Sequence, residues 1–152
     1  MGAMVASTGR ILLALAVLMT LPGCVPSRHQ LDPYSEEGPE ARQIEAEARL
    51  RCVARRGAEH TPEAAFVTDA CSMWPNSVWV DCCVHHDMDY WCGGSAEDRK
   101  RSDRALRACV SDAGRPRTSA LMYWGVRAGG PPWMPMSHRW GYGWPWPRGY
   151  DD

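Results

Sequence analysis

The fold is decided by residues 81–94, which read Asp-Cys-Cys-Val-His-His-Asp-Met-Asp-Tyr-Trp-Cys-Gly-Gly. The stretch up to Cys92 favours a helix, and the pair Gly93-Gly94 ends it. Ser95 is a good N-cap for a second helix over residues 96–112, and the aspartate three positions later can complete a capping box. Because the connection is so short, the two helices must run antiparallel. The sequence therefore predicts a helical hairpin.

Antiparallel pairing fixes which side chains of this hairpin face one another. Cys82 and Cys109 lie equally far from the turn on its two sides, so Cys82 can reach Cys109 across the hairpin. In the same register Asp103 lies about half a helical turn from the position opposite His86. A hydrogen bond between this imidazole and this carboxylate is therefore within geometric reach.

Further elements are predicted on both sides of the hairpin. The segment from Pro39 to Ala58 is rich in helix formers and predicts a surface helix. Its narrow apolar stripe comprises Ile44, Ala48, Cys52 and Val53. Residues 61–80 contain turn signals and predict an irregular loop, whereas residues 119–127 predict a short helix. Residues 132–152 are dense in Trp, Pro and Gly and predict an extended strap whose rings cover the domain or meet a partner.

These patterns give one fold class. We expect an all-α protein with two antiparallel disulfide-linked helices, an N-terminal helix and an irregular Trp/Pro-rich C-terminal strap.

The N-terminus has the pattern of an export signal. Residues 1–23 combine one positive charge with an apolar run too short to span a bilayer. They lead into Leu21-Pro22-Gly23-Cys24, which resembles the lipobox of bacterial lipoproteins and predicts lipid modification of Cys24; the alternative is simple signal removal, with Cys24 left as an ordinary thiol. Residues 24–38 then form a linker and residues 39–152 the domain. The chain is expected in the cell envelope, at the periplasmic face or outer membrane, or secreted.

The charge pattern argues against a nucleic-acid partner. The formal net charge is −1, whereas phosphate binding needs clustered Lys and Arg. The short basic runs Arg55-Arg56 and Arg99-Lys100-Arg101 sit among acidic residues and are expected to be solvated helix faces.

Six cysteines remain when Cys24 is set aside. An even number in a small exported domain predicts three disulfides. The alternative is a zinc site built from Cys82, Cys83, His85, His86 and Cys92. Disulfides are favoured, because adjacent cysteines lack the two-residue spacing with which thiolates usually chelate one metal.

Two motifs of the hairpin carry a resemblance to a known family. Residues 82–90, Cys-Cys-Val-His-His-Asp-Met-Asp-Tyr, are similar to the active-site helix of the secreted phospholipases A2, Cys-Cys-x-x-His-Asp-x-Cys-Tyr. Residues 102–109 resemble the family's second-helix pattern, Cys-Asp-Arg-x-Ala-Ala-x-Cys. The departures at Asp89 and Ser102 reinforce the match, because the family's cysteines at these two positions are bonded to each other and are lost here as a pair.

The resemblance implies a role for each matching residue. His86 would be the general base that draws a proton from water, with Asp103 accepting the other ring N–H. Tyr90 would donate a hydrogen bond to Asp103, and Asp87 would supply a carboxylate to Ca2+. The alternative for His86 is a half-buried histidine that is satisfied by Asp103 and takes part in no reaction.

The family's calcium loop corresponds to residues 69–76, which contain no glycine. Further Ca2+ ligands implied by the resemblance are the carbonyls of Ala70, Ser72 and Trp74. The resemblance also implies a disulfide between Cys71 and Cys83, which leaves Cys52 and Cys92 as the remaining pair.

The function expected from these inferences is Ca2+-dependent hydrolysis of glycerophospholipid ester bonds in the cell envelope, with a phospholipid or membrane surface as the partner. A first alternative is a catalytically inactive, phospholipase-like envelope protein, and a second is a metal-binding lipoprotein with reduced cysteines. The aromatic strap is expected to cap the hairpin and line an acyl-chain pocket rather than form an interfacial patch. The other histidines are expected at the surface or in structural positions, namely His29, His60, His85 and His138.

Overall fold

The computed structural model describes residues 38–134 and 141–151. These ranges contain no β-strand and four α-helices, so the described chain is all-α, as predicted. The helices are α1 (Pro39–Arg56), α2 (Val80–Cys92), α3 (Ala96–Asp112) and α4 (Pro116–Gly129), with a 3-10 turn at Ala58–His60. The expected signal peptide, lipid-modified Cys24, His29, His138 and residues 135–140 of the strap lie outside the described residues.

Local sequence signals set the helix ends. Pro39 and Pro116 occupy the first turns of α1 and α4, where the N–H that proline lacks has no partner within the helix. Gly57 ends α1 just before the predicted limit at Ala58, because it takes a left-handed φ of 92°. The fourth helix is longer than predicted: it begins at its proline and continues to Gly129.

The turn between α2 and α3 is built as the sequence predicts. The Ser95 side chain accepts the Asp98 N–H at 3.1 Å, and the Asp98 carboxylate accepts the Ser95 N–H at 2.9 Å, which completes a capping box. Gly93 takes a φ of 75°. A Cβ atom at Gly93 would lie 2.8 Å from the Cα of Gly143, so glycine also permits close approach of the strap.

The helices pack in the order α1, α2, α3, α4, each against the next. One apolar cluster lies between α1, α2 and the preceding loop, and includes Ala48, Cys52, Phe66, Val84, Met88 and Trp91. A second lies between α2, α3 and α4, and includes Trp79, Leu106, Val110 and Met122. The buried stripe of α1 is narrower than predicted, because Val53 is 42% exposed and the buried residues of the helix are Ala41, Ala48 and Cys52.

Three disulfides join the elements. The bonded pairs are Cys52–Cys92, Cys71–Cys83 and Cys82–Cys109. The register of the hairpin and the resemblance together predict this pairing. The alternatives with a zinc site or reduced cysteines are wrong for these six residues, since a sulfur in a disulfide is not available as a thiolate ligand.

The described part of the strap, residues 141–151, lies across the end of the hairpin. The N–H of Gly143 donates to the carbonyl of Tyr90 at 2.7 Å, and the N–H of Asp151 donates to the carbonyl of Gly94 at 3.1 Å. The buried ring of Tyr142 packs edge-on against the Tyr90 ring, with centroids 5.0 Å apart. The described part of the strap therefore caps the hairpin, as expected, whereas the expected acyl-chain pocket lined by the strap stays a prediction. Among the described helices, none has the length and hydropathy needed to cross a bilayer.

Candidate active site

The α2–α3 hairpin brings the imidazole of His86 to the carboxylate of Asp103. The His86 Nε2 atom lies 2.9 Å from Asp103 Oδ1. The register is the predicted one, since Cys82 and Cys109 are bonded across the same hairpin. His86 is 7% exposed and Asp103 is fully buried. A hydrogen bond in such surroundings is electrostatically stronger than in water.

Asp103 is hydrogen-bonded through both of its oxygens. Oδ1 also accepts the Tyr90 hydroxyl at 2.7 Å, and Oδ2 accepts Nη1 of Arg127 at 2.7 Å. Burial by itself would raise the pKa of Asp103, but these three donors together lower that pKa below its usual value. Asp103 is therefore a carboxylate, and His86 donates its Nε2–H to it.

This contact fixes the tautomer of His86. A neutral imidazole that carries its proton on Nε2 has a free lone pair on Nδ1. The Nδ1 atom lies 3.9 Å from Oδ1 of Asp87, too far for a direct hydrogen bond. Nδ1 is thus the ring atom that can accept a proton.

Two carboxylates determine the pKa of His86. Burial by itself would lower the pKa, but Asp103 and Asp87 outweigh burial and raise it above the usual histidine value. Burial raises the pKa of Asp87 to about 6, against the opposing effects of His86 and the Thr68 hydroxyl. A cation at Asp87 would oppose both shifts, because it favours the carboxylate and disfavours the imidazolium.

Two arginines for which the sequence predicted no role in the site lie beside Asp103. Arg127, near the end of α4, supplies the ion pair to Oδ2. Arg99 is 2% exposed, and it donates to the Tyr90 hydroxyl at 3.1 Å and to the carbonyls of Val126 and Arg127. The expectation that Arg99 belongs to a solvated face is therefore wrong, because its guanidinium joins α3 to α4 behind the His86–Asp103 pair.

The other basic run is also structural rather than solvated. Asp89 is buried and pairs with Arg51 at 2.8 Å and with Arg55 at 2.7 Å. Arg55 and Arg56 also donate to the carbonyls of Gly93 and Cys92 at 2.6 and 2.8 Å. These contacts tie α1 to the end of α2. A buried carboxylate needs such partners, and Arg51 and Arg55 supply them to Asp89 from α1.

A small cavity of about 100 Å3 lies beside His86, between α2 and α3. His85, His86, Asp89 and Ser102 are among the residues that line it. The hydroxyl of Ser102 is buried and has no hydrogen-bond partner among the described residues. Ligand pockets usually measure about 300–1,000 Å3, so this cavity is too small for an acyl chain in the conformation observed.

The predicted calcium site is centred on the buried carboxylate of Asp87. Its Oδ2 accepts the Thr68 hydroxyl at 2.5 Å, and Thr68 Oγ1 accepts the N–H of Ala70 at 2.9 Å. Ala70 and Met73 both have a φ of 63°, so this loop makes left-handed turns without glycine.

Ca2+ takes carboxylate and carbonyl oxygens, and Asp87 offers a carboxylate that Thr68 connects to this loop. Within the described ranges, no group of three or more His, Cys, Asp or Glu side chains is placed to hold a metal ion. Asp87 would therefore need backbone carbonyls as partners, and the predicted ones lie in the turn that follows Thr68. In that turn Ser72 donates its hydroxyl to Asp69 at 2.5 Å, and the Trp74 N–H donates to the carbonyl of Cys71 at 2.9 Å.

The other described histidines lie at the surface, as expected. The side chain of His85 is 46% exposed and its Nε2 lies 3.4 Å from a carboxylate oxygen of Glu47. His60 is exposed beside Glu59. His86 is therefore the one buried histidine of the described chain.

Comparison with family models, with curated proteins and with solved structures found no match for this chain.

Proposed function

We propose that this chain hydrolyses ester bonds of glycerophospholipids, in the manner of a phospholipase A2, with His86 as the general base. One observation carries the proposal: a buried histidine has one ring nitrogen held by an ionised aspartate, while its other nitrogen is free. A general base needs this arrangement, because the aspartate fixes the tautomer and stabilises the imidazolium that forms.

In the proposed reaction, Nδ1 of His86 takes a proton from a water molecule as that water attacks the ester carbonyl. The proton stays on the imidazole, and Asp103 remains ionised because its pKa is lowered. The imidazolium then returns the proton to the leaving alcohol. Tyr90 and Arg127 hold Asp103 in place during both transfers.

Ca2+ held by Asp87 and by the carbonyls of Ala70, Ser72 and Trp74 would supply the positive charge that polarises the ester carbonyl. The contact from Thr68 keeps the Asp87 carboxylate beside this loop. Attachment through Cys24 would place the domain at the lipid surface of the cell envelope.

One observation favours a second candidate, an inactive envelope protein that keeps the phospholipase-like hairpin. The cavity that the described residues form beside His86 is too small for an acyl chain. In this candidate the His86–Asp103 pair only stabilises the hairpin.

One experiment separates the two candidates. The mature protein is incubated with mixed phospholipid vesicles in Ca2+ or in chelator, and released fatty acid is measured for wild type, His86→Ala and His60→Ala. His60→Ala is the matched control, because the side chain of this histidine is 51% exposed and does not line the cavity beside His86. The proposal expects release that needs Ca2+ and His86 but not His60. No release from folded wild type supports the inactive protein. Equal release from wild type and His86→Ala contradicts the role of His86 as the general base.

A further inference from the structure

Helix α4 packs one face on α3 and leaves another face open. Positions 117, 121, 124 and 128 share the open face by helical spacing, and all four are exposed. Leu121 is 62% exposed and Trp124 is 67% exposed. Large apolar side chains that lie together on the outside of a helix mark a contact surface rather than part of the core.

Basic side chains lie near this apolar pair. Arg117 lies one turn before Leu121 on the same face. From α3, the guanidinium of Arg107 lies 5.6 Å from the Tyr123 ring centroid, and that ring packs edge-on against Trp124 at 5.3 Å. Within the described chain, the ion pairs of α3 and α4 include none made by Arg107, Arg115 or Arg117.

The positive charge of the chain is concentrated in the same two helices. Residues 96–129, which include α3 and α4, contain eight basic and four acidic side chains, a net charge of +4. The formal net charge of the complete chain is −1, so the rest of it carries −5. A field of this kind orients a protein toward a negative surface, with the α3–α4 side leading.

We propose that the α4 face, formed by Arg117, Leu121, Trp124 and Ala128 with Arg107 beside it, docks on an anionic phospholipid surface. Leucine and tryptophan enter the region of the headgroups, where tryptophan is favoured. The guanidinium groups meet the lipid phosphates, each contributing about 1 kcal/mol near an anionic leaflet. This contact does not depend on hydrolysis, and so it goes beyond the proposed enzyme.

A lipid surface fits this face better than a second copy of the chain. In a two-fold symmetric dimer the same patch meets itself, so its arginines would oppose arginines. None of the residues that form the face is acidic, so the face offers no carboxylate to balance them. Negative charge has to come from the partner.

The test measures binding without turnover or an acyl anchor. The protein carries His86→Ala, and it is secreted with Cys24→Ser behind a signal of the non-lipoprotein type. Its partition onto vesicles of phosphatidylcholine, alone or mixed with phosphatidylglycerol, is measured in chelator by sedimentation. Variants of the face are Leu121→Ser, Trp124→Ser and Arg117→Gln. The control is Leu50→Ser, which removes a leucine that is 72% exposed on α1, at the other end of the row of helices.

The proposal expects binding to the anionic vesicles that falls about tenfold with Leu121→Ser or Trp124→Ser, since about 1.4 kcal/mol of apolar burial corresponds to tenfold. Arg117→Gln should weaken binding to anionic vesicles about fivefold and leave neutral vesicles unchanged. Leu50→Ser should bind like the parent. Equal binding by all variants, no binding by the parent, or a dimer that Trp124→Ser dissociates would each overturn it. Because His86 is absent, none of these results depends on whether the native protein is an enzyme.

Discussion

Replacing Asp103 by Asn tests the network around His86 most directly. The substitution keeps the shape of the side chain but removes its charge. Arg127 then loses its counter-charge, and Arg99, whose Nε lies 3.9 Å from Oδ2, loses the nearest carboxylate. The amide also has only one acceptor oxygen for donors that now approach both oxygens.

The surroundings of Asp103 determine how much stability and activity the substitution should remove. Breaking a buried ion pair costs about 3–5 kcal/mol, but Arg127 is 28% exposed and solvent compensates part of this. We therefore expect Asp103→Asn to lower the free energy of unfolding by about 2–3 kcal/mol. If His86 is the general base, the rate of fatty-acid release should fall about 10²–10⁴-fold, because Nε2 no longer has a carboxylate that fixes the tautomer.

Urea unfolding and fatty-acid release in Ca2+ measure the two effects on the same preparations. Asp112→Asn is the matched control, because Asp112 is exposed on the same helix; it should change neither quantity. Tyr90→Phe removes one hydrogen bond to Asp103 and should cost about 1 kcal/mol. If Asp103→Asn unfolds at the same urea concentration as wild type and releases fatty acid at the same rate, the account of the site given above is incorrect.

Three further results are expected. Arg127→Met should destabilise the fold by about 1–3 kcal/mol by leaving a buried carboxylate oxygen unpaired, and Arg127→Lys should restore part of that loss; equal unfolding midpoints for both variants would contradict this. Replacing Cys82 and Cys109 by serine opens a bridge spanning 27 residues and should cost about 3–4 kcal/mol in urea, and an unchanged midpoint would show that the bridge contributes nothing. Burial raises the pKa of Asp87 in the folded protein to about 6, whereas its pKa in the unfolded chain is about 3.9. The stability that the protonated carboxyl group contributes is therefore fully present below about pH 3.9 and is lost as the pH rises through about 6. In chelator, Asp87→Asn should therefore be more stable than wild type at pH 7, by up to about 3 kcal/mol, and this advantage should vanish near pH 4; an advantage that does not change with pH would contradict the shift.

Much of the hairpin follows from local sequence. The Gly93-Gly94 pair, the Ser95 cap and the strong helix formers on both sides fix two helices and a short turn. Once the turn is fixed, helical geometry fixes which residues face each other, so the positions of Cys82, Cys109, His86 and Asp103 follow. The predicted limits of α4, residues 119–127, are too narrow, because only a proline marks the first turn of this helix.

The sequence by itself determined α2, α3, the hairpin register and the pairing of His86 with Asp103, because each depends on residues within a few turns of one connection. Only the tertiary structure decided that Arg99 and Arg127 surround Asp103, and that Asp89 pairs with Arg51 and Arg55. These contacts depend on how α1 and α4 are placed against the hairpin. A charged residue on a helix has the same local pattern whether it meets solvent or a buried carboxylate, so only the packing of the helices distinguishes the two.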